Sequence, residues 1–281
     1  MPDKPYLQLY YLIKLKKVLH FKAPRSFNEK LQWLKLYDRK KIYTTMVDKY
    51  EAKRYVAERI GEEYIIPTLG VWDRVEDIDF DALPSKFVLK CTHDSGGLIV
   101  CRDKSKLDWK RTKKILQKSL RNDFYIEARE WPYKNVKRRI IAETYMEDQQ
   151  QKAGLVDYKF YCFDGEPRFL YISKGLEDHA TASISFLNLD WSFAPFQRSD
   201  YKGFETLPPK PAGYETMLEL TRRLSKDTSF LRVDLYEIGG KVYFSELTFT
   251  PCGGTMTFAP PEWDDKIGQW LTLPKKTKED S

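Results

Sequence analysis

The sequence predicts an α+β protein whose sheets are built from antiparallel hairpins. Helical patterns dominate the first sixty residues, and short apolar runs of strand length, FVLKC at 87–91 and LIVC at 98–101, begin only after Ile65. The segment 230–249 then reads as two strands joined by a pair of glycines. Strands and helices do not alternate regularly, so antiparallel pairing is expected rather than a parallel sheet.

Local signals place the individual elements. Ser26 and Glu29 have the spacing of a capping box ahead of an apolar helix, and a second helix is predicted over 46–60, ending at Gly61. Apolar residues at helical spacing predict another helix over 214–224. With 281 residues and 42% hydrophobic content, the chain can bury a core without a disulfide or a metal.

The strand signals complete the predicted domain organisation. RRIIAETYM at 138–146 predicts a strand that leads into a connector, and 157–173 predicts a hairpin that turns near Asp164-Gly165. The predicted parts are an N-terminal helical region at 1–64, a first α+β subdomain at 65–142, a second at 143–273 and a charged tail at 274–281.

The composition is mildly basic, with 48 Lys and Arg against 41 Asp and Glu, a net charge of +7. This charge permits an anionic ligand, a nucleic acid or a membrane surface and selects none of them.

Four dispersed cysteines and three scattered histidines argue against a zinc site and fit a reducing cytosol, so a cytoplasmic location is expected. No signal peptide or spanning segment is recognisable. The basic segment 7–19 predicts a surface helix, which packs on the body or makes a peripheral contact with the inner face of a membrane.

The C-terminal hairpin carries the strongest constellation of polar residues. Arg232 and Asp234 are two apart in one strand, and Glu246 and Thr248 are two apart in its partner, so each pair shares a face. Two carboxylates on adjacent strands can hold Mg²⁺ and leave positions for phosphate and water. A neighbouring arginine can stabilise a phosphoryl group during transfer. The alternative is an exposed hairpin with surface salt bridges.

Whether the two carboxylates meet depends on the strand register. If Gly239-Gly240 is a simple two-residue loop, Asp234 pairs with Ser245 and Glu246 faces the opposite side of the sheet. A shared metal ion therefore requires a three-residue loop or a β-bulge near the two glycines.

Two other segments have features of a nucleotide site, although the P-loop and GxGxxG motifs are missing. Lys90 ends an apolar strand, and the glycine-rich loop 95–97 could surround a polyphosphate with backbone N–H groups. Glu143 ends another strand and could hydrogen-bond an adenine amino group, with Tyr145 or Met146 against the ring. The alternatives are a glycine-rich turn with a surface lysine and a buried strand terminus.

These motifs in this order resemble the ATP-grasp superfamily: FVLK with the Ser-Gly-Gly loop, AETYM, DYKFYCFDGEP, RVDLY and FSELTFTPCGG. The flanking segments SFNEKLQWLKLYDR, DKYEAKRYVAERIGEEYIIPTLGVW and FDALPSKFVLKCTH resemble the TupA-like ATP-grasp family of teichuronopeptide biosynthesis. The resemblance covers about residues 25–262. It implies the ATP-grasp fold, with ATP and Mg²⁺ held between two α+β subdomains and a mostly helical N-terminal region before them.

The resemblance also implies a role for individual residues. The implied nucleotide contacts are Lys90, His93, Ser95, Gly96, Gly97, Glu143, Tyr145, Met146, Asp157 and Lys174. The implied magnesium ligands are Asp234, Glu246 and Thr248, and the implied catalytic cations are Lys159 and Arg232. Thr248 stands where many ATP-grasp enzymes have an asparagine, which leaves open whether one or two metal ions bind.

The reaction implied by the resemblance is the formation of an amide. A substrate carboxylate attacks the γ-phosphate of ATP to give an acyl phosphate and ADP, and an amine then displaces the phosphate. The implied carboxylate is that of a uronic-acid-type precursor of a cell-surface polysaccharide, and the implied amine is an amino acid. Nucleic acid is not an expected partner.

Two other functions remain as alternatives. Asp77, Asp79 and Asp81 could hold a metal ion and the diphosphate of a nucleotide sugar, as in a glycosyltransferase, or they could form an acidic turn. The basic residues at 110–114 and 138–139 are compatible with a non-enzymatic binder of nucleic acid or anionic lipid.

Overall fold

The computed structural model describes residues 1–147, 155–175 and 182–276. The helices are α1 (Asp3–Leu15), α2 (Phe27–Tyr37), α3 (Ile42–Val47), α4 (Glu51–Ile60), α5 (Trp109–Arg121), α6 (Phe124–Ala128), α7 (Tyr214–Ser225) and α8 (Trp263–Gly268). The strands are β1 (Thr68–Trp72), β2 (Phe87–Cys91), β3 (Ile99–Cys101), β4 (Ile140–Thr144), β5 (Asp157–Phe163), β6 (Glu166–Lys174), β7 (Ser183–Asn188), β8 (Gln197–Arg198), β9 (Phe230–Ile238), β10 (Lys241–Thr248) and β11 (Phe258–Ala259). The α+β class and the helical N-terminal region are as predicted.

The chain divides into two compact units, one made of Met1–Lys40 with Glu147–Ser281 and the other of Lys41–Met146. These units differ from the predicted ranges, because α1 and α2 join the C-terminal part of the chain while α3 and α4 join the first sheet. The difference has a packing cause: Phe27 and Leu31 of α2 are fully buried in the aromatic core of the larger unit. The predicted subdomain ranges remain a prediction, and the compact units are divided differently.

The smaller unit contains an antiparallel sheet in the order β1-β4-β2-β3. Its inner face alternates along β2, where Phe87, Leu89 and Cys91 are fully buried against Leu116 of α5. The predicted single helix over 46–60 is two helices. The chain breaks at Asp48, whose carboxylate accepts the N–H groups of Tyr50 and Glu51 at the start of α4.

The larger unit contains an antiparallel sheet in the order β10-β9-β5-β6-β7. The predicted hairpin is present, with Phe163 paired to Glu166 and a two-residue turn at Asp164-Gly165. Both turn residues have positive φ, 50° and 82°, as a tight hairpin turn of this twist requires. Helix α7 covers one face of the sheet with the predicted apolar stripe.

The opposite face of this sheet has an apolar end and a polar end. Aromatic rings fill the apolar end, where Phe27 lies 5.1 Å from Phe230 and Tyr161 lies 4.6 Å from Phe169, measured between ring centroids. Helix α2 closes this end and begins with the predicted capping box of Ser26 and Glu29. Because the aromatic rings pin the strands on one side, the polar side chains further along the same face are held on rigid elements.

Candidate active site

The polar end of this face brings together residues of β5, β9 and β10. Lys159 of β5 lies opposite Asp234 of β9, and Asp234 in turn lies opposite Glu246 of β10. Residues that are directly opposite on neighbouring strands share a face. The predicted placement of Asp234 and Glu246 on one face is therefore confirmed.

A β-bulge at Ser245 produces this alignment. Gly239-Gly240 is a simple two-residue loop with φ values of 58° and 77°, and Ile238 pairs with Lys241 beside it. The register then shifts between Phe244 and Glu246. The extra residue lies well along the strand, and not at the glycine turn where the sequence placed it. It leaves Phe244 facing the core while it turns Glu246 toward Asp234.

Asp234 is buried and held by two cations. Its Oδ1 accepts a hydrogen bond from Arg232 Nε at 2.7 Å, and its Oδ2 accepts from Arg232 Nη2 at 2.6 Å and from Lys159 Nζ at 3.0 Å. Burial acts to lower the pKa of Lys159, but the carboxylates of Asp234 and Asp157 outweigh it and hold that pKa well above its ordinary value. Burial is likewise outweighed at Arg232, whose pKa is raised chiefly by Asp234. Both side chains therefore stay protonated and positively charged at neutral pH.

The donor set fits a magnesium ion. Asp234 and Glu246 supply carboxylate oxygens, and Thr248 Oγ1 hydrogen-bonds Glu246 Oε1 at 2.7 Å. Each carboxylate has about four lone-pair sites, so the contacts of Asp234 with its two cations leave positions for a metal ion. Within the described residues no group of three His, Cys, Asp or Glu side chains converges to hold a metal. A site with two carboxylates and a hydroxyl suits Mg²⁺, which keeps water or phosphate oxygens as its remaining ligands.

Asp157 and Lys174 lie at the same end of the larger sheet. Asp157 Oδ1 is 3.2 Å from Lys159 Nζ, and Lys174 ends β6 opposite Ser183 of β7. Asp157 therefore completes the charge balance of Lys159. The predicted contacts of both residues with a nucleotide stay predictions.

In the smaller unit, Lys90 and Glu143 form a second buried charge cluster, together with Lys53. Glu143 Oε2 is 2.5 Å from Lys90 Nζ, and its Oε1 is 2.6 Å from Lys53 Nζ. Burial acts to raise the pKa of Glu143, but the two ammonium groups bring it below its ordinary value. Burial lowers the pKa of Lys53, and Glu143 opposes that effect. The carboxylate of Glu143 thus orients two lysines, and its predicted contact with an adenine amino group stays a prediction.

The sequence did not identify Lys53. A signal was present, because Lys53, Val56 and Ile60 have the i, i+3, i+7 spacing of the buried face of α4. A lysine on the buried face of an amphipathic helix needs a buried acid as a partner.

The predicted phosphate loop has a buried base and an exposed tip. His93 is buried, with its Nε2 3.2 Å from the carbonyl oxygen of Asn122, and Ser119 Oγ donates to the carboxylate of Asp94. His93 therefore anchors the base of the loop, and its predicted contact with a nucleotide stays a prediction. The tip, Ser95 and Gly96, is exposed, and Gly97 packs so closely against Ser119 that a side chain would collide.

The segment after β4, predicted as a connector, is half-buried and has no regular secondary structure, and its predicted contact with adenine stays a prediction. Arg102 Nε donates a 3.1 Å hydrogen bond to the Tyr145 hydroxyl, and Met146 follows with a half-buried side chain. The acidic segment proposed for a nucleotide sugar is a surface turn, in which Asp79 Oδ1 accepts the N–H groups of Asp81 and Ala82. This geometry favours the acidic-turn interpretation over a metal site.

Sequence reasoning also missed Arg198 in the larger unit. Its guanidinium lies 3.2 Å from Cys252 Sγ and is held by the carboxylate of Asp200. Arg198 and Arg232 both act electrostatically on the buried hydroxyl of Tyr161, which has no hydrogen-bond partner in the described part of the chain. No sequence pattern predicts that Arg198 belongs to this site, because strand β8 has only two residues.

The fold and the paired carboxylates define an ATP-grasp protein. A model of the TupA-like ATP-grasp family matches residues 29–272, and the chain therefore belongs to that family. The family match confirms the predicted family and the predicted ATP-grasp fold. No curated protein matches the sequence.

Several solved structures are similar to this chain at low identity. D-alanine–D-alanine ligase from Helicobacter pylori has 16% identity and a TM-score of 0.48, with 89% of this chain and 70% of that chain covered. The same enzyme from Bacillus anthracis, complexed with ATP, has 14% identity and a TM-score of 0.41, with 81% and 60% covered. A RimK domain ATP-grasp protein from Sphaerobacter thermophilus has 12% identity and a TM-score of 0.44, with 84% and 70% covered. The chain thus spans 60% of the length of the Bacillus ligase, and these values support no conclusion about substrate.

Proposed function

We propose that the protein joins a carboxylate to an amine in an ATP- and Mg²⁺-dependent reaction that releases ADP. The observation that carries this proposal is the alignment of Asp234 with Glu246 across β9 and β10, beside Arg232 and Lys159. Two carboxylates, a hydroxyl and two permanent cations on one rigid face are the groups that phosphoryl transfer needs. No protein nucleophile is required.

The chemistry has two steps that balance without a further reactant. A carboxylate oxygen of the acceptor forms a bond to the γ-phosphorus as the bond to the β-phosphate oxygen breaks, giving an acyl phosphate and ADP. The amine nitrogen then attacks the acyl carbon, loses a proton and expels inorganic phosphate, leaving an amide. A bound Mg²⁺ would neutralise phosphate charge and would be held by Asp234, Glu246 and Thr248.

The chain's own cations contribute to both steps. Arg232 and Lys159 are held in place by Asp234, so their positive charge is preorganised where negative charge develops on the transferring group. In the smaller unit, Lys53 and Lys90 carry two positive charges against the single charge of Glu143. This surplus suits the binding of nucleotide phosphates.

The substrate class extends this proposal. We place the carboxylate on a uronic-acid-type precursor of a cell-surface polysaccharide, with an amino acid as the amine and a cytoplasmic location for the reaction. Its support is the resemblance to a family of teichuronopeptide biosynthesis. No helix among the described residues is long and apolar enough to span a membrane.

The test is nucleotide conversion with a panel of acceptors. Purified protein is incubated with ATP, Mg²⁺, single uronic acids and single amino acids, and ADP, AMP and phosphate are measured together with the mass of the product. ADP formation that requires both substrates, with an amide-linked product, is expected. AMP formation, or turnover of a nucleotide sugar with no use of ATP, would contradict the proposal.

A further inference from the structure

The N-terminal segment, residues 1–18, carries an unusual concentration of exposed apolar side chains, three of them on α1. Of the eleven large apolar side chains that are exposed in the described residues, five lie within the first eighteen positions. They are Met1, Leu9, Leu12, Ile13 and Val18, with 46–70% of their surface exposed. Such a group of apolar residues at one place on a surface marks an interaction site more often than scattered single residues do.

Helical geometry places this apolar row away from the body of the protein. Leu7 and Tyr11 of α1 are buried in a core cluster with residues of α2. Leu9, Leu12 and Ile13 have i, i+3, i+4 spacing, so they form one row on the opposite side of α1. Helix α1 therefore has two apolar faces, one packed in a core cluster and the other exposed.

The charge around this row is almost entirely positive. Residues 1–25 contain six Lys and Arg and one acid, so they supply 6 − 1 = +5 of the net charge of +7. The acid, Asp3, is bound to Arg39 at 2.8 Å. Lys14, Lys16 and Lys17 are exposed at the end of α1. A row of apolar residues flanked by lysines is the pattern of a helix that lies in the interface of an anionic bilayer.

A cavity of about 720 Å³ lies beside the row and has a positive lining. The side chains that line it include Lys4, Gln8, Lys17, His20, Lys22 and Arg25. Two acids, Glu29 and Asp265, also line it, against four Lys and Arg side chains. The carboxylate of Glu29 is occupied by backbone N–H groups, from Arg25 at 2.8 Å and Ser26 at 3.2 Å. Lys4 and Gln8 lie one helical turn apart, between the buried face and the apolar row, so the cavity opens next to that row.

We propose that α1 docks on an anionic phospholipid surface, with Leu9, Leu12 and Ile13 at the level of the acyl chains and a lipid phosphate in the basic cavity. A bilayer is favoured over a nucleic acid because a phosphate backbone offers no partner for a central apolar row. It is favoured over a protein partner because the charges beside the row have one sign, which matches a uniformly anionic surface. The proposal does not depend on the ligase reaction.

The test is co-sedimentation of the full chain with vesicles of phosphatidylglycerol or of phosphatidylcholine. We expect binding to the anionic vesicles, at least about tenfold weaker binding to the neutral ones, and release by about 0.5 M salt, which shortens the Debye length severalfold. Leu9→Gln/Leu12→Gln/Ile13→Gln and, separately, Lys4→Gln/Lys17→Gln/Lys22→Gln should each weaken binding at least about tenfold. The altered side chains are surface residues, so melting curves should be unchanged.

Matched controls change similar residues elsewhere. Ile42→Gln/Ile126→Gln removes two exposed isoleucines, and Lys110→Gln/Lys114→Gln removes two exposed lysines of α5; both should bind vesicles like the parent. Equal binding to both vesicle types, no binding at all, or binding that the apolar variant does not reduce would overturn the proposal. Retention on RNA without vesicle binding would assign the patch to nucleic acid and would also overturn it. ATP turnover without vesicles should be the same in every variant, which separates this test from that of the ligase.

Discussion

The two charge clusters of this protein share one arrangement but carry net charges of opposite sign. In each, a carboxylate is held between two cations: Asp234 between Arg232 and Lys159, and Glu143 between Lys53 and Lys90. The clusters differ in the groups around that core. Asp157 and Glu246 add two negative charges beside Asp234. In the described residues, Glu143 is the one acid that forms an ion pair with Lys53 or Lys90.

This difference sets the sign of each cluster. The cluster of the larger unit has three acids against two cations, a formal charge of −1, and so suits a divalent cation. The cluster of the smaller unit has one acid against two cations, a formal charge of +1, and so suits phosphate. The carboxylate at each centre holds the flanking cations in place. The number of acids around it determines which ion the cluster can bind.

Asp234→Asn should have the largest effect on turnover. The change is nearly isosteric, but it removes a proposed magnesium ligand and the anion that holds Arg232 and Lys159 in place. We expect ATP-dependent turnover to fall by about 10²–10³-fold, and the magnesium concentration needed for half-maximal rate to rise. Circular dichroism should show the parent fold. Asp77→Asn, in the exposed acidic turn, is the control and should keep full turnover. If Asp234→Asn had the turnover of the parent, Asp234 would have no role in the reaction.

Arg232→Ala should reduce turnover more than ATP affinity. Its guanidinium is held by Asp234 beside the proposed metal site, so under the proposed reaction its stabilisation should be greatest in the transition state. We expect kcat to fall by about 10²-fold and the Kd for ATP to change severalfold at most. An equal loss in kcat and affinity would indicate that Arg232 acts mainly on the bound ground state.

Lys90→Ala and Lys53→Ala should show the reverse pattern. Each removes one of the two positive charges that Glu143 orients, so the Kd for ATP should rise by about tenfold or more, with little change in melting temperature because one ammonium group still balances Glu143. Titration calorimetry with ATP measures this directly. Lys137→Ala, an exposed lysine paired with Asp73, is the control. Unchanged affinity in both variants would mean that the cluster supports the fold alone.

Much of this comparison was visible in the sequence, and the remainder depended on packing. The capping box at Ser26, the hairpin turn at Asp164 and the need for one extra residue before Glu246 follow from local rules of spacing and turn chemistry. The position of the bulge at Ser245 did not, because any extra residue between the turn and Glu246 would restore the alignment. The choice is made by the burial of Phe244 against the core.

Sequence reasoning missed Lys53 and the buried contact of His93 for the same reason. Lys53 is 90 residues from Glu143 in the sequence, and His93 is anchored by a carbonyl of Asn122 across a loop. Such pairs are set by how helices and strands pack, and spacing along the chain does not encode them. Glu143 itself was identified from the sequence, but its two lysine partners were not paired with it.

The pH dependence of stability should separate the smaller cluster from an ordinary surface ion pair. The pKa of Glu143 is lower in the folded chain than its ordinary value, with the two lysines as the cause and burial opposing them. The folded chain therefore binds this proton less readily than the unfolded chain, so the stabilisation is fully present above the ordinary pKa of about 4.3 and is lost as the pH falls through the lower folded pKa.

Melting temperatures of the parent and of Glu143→Gln should accordingly differ by a constant amount between pH 6 and pH 8 and converge in acid, to the extent that the parent remains folded there. Melting at about 0.5 M salt should preserve most of the difference, because a buried cluster is screened less than a surface pair. A difference that does not narrow in acid would show that the variant loses stability for another reason.

Deletion of Ser245 should have the smallest effect, although it removes a residue next to a proposed metal ligand. Without Ser245, regular pairing from Ile238 and Lys241 along the hairpin still places Glu246 opposite Asp234, because the bulge contributes exactly the one residue that is removed. We expect turnover within about tenfold of the parent and a modest loss of stability from the changed strand twist. Ser245→Ala is the control, since it removes the hydroxyl but keeps the residue count. Turnover as low as that of Asp234→Asn, with the fold intact, would show that the bulge does more than align the two carboxylates.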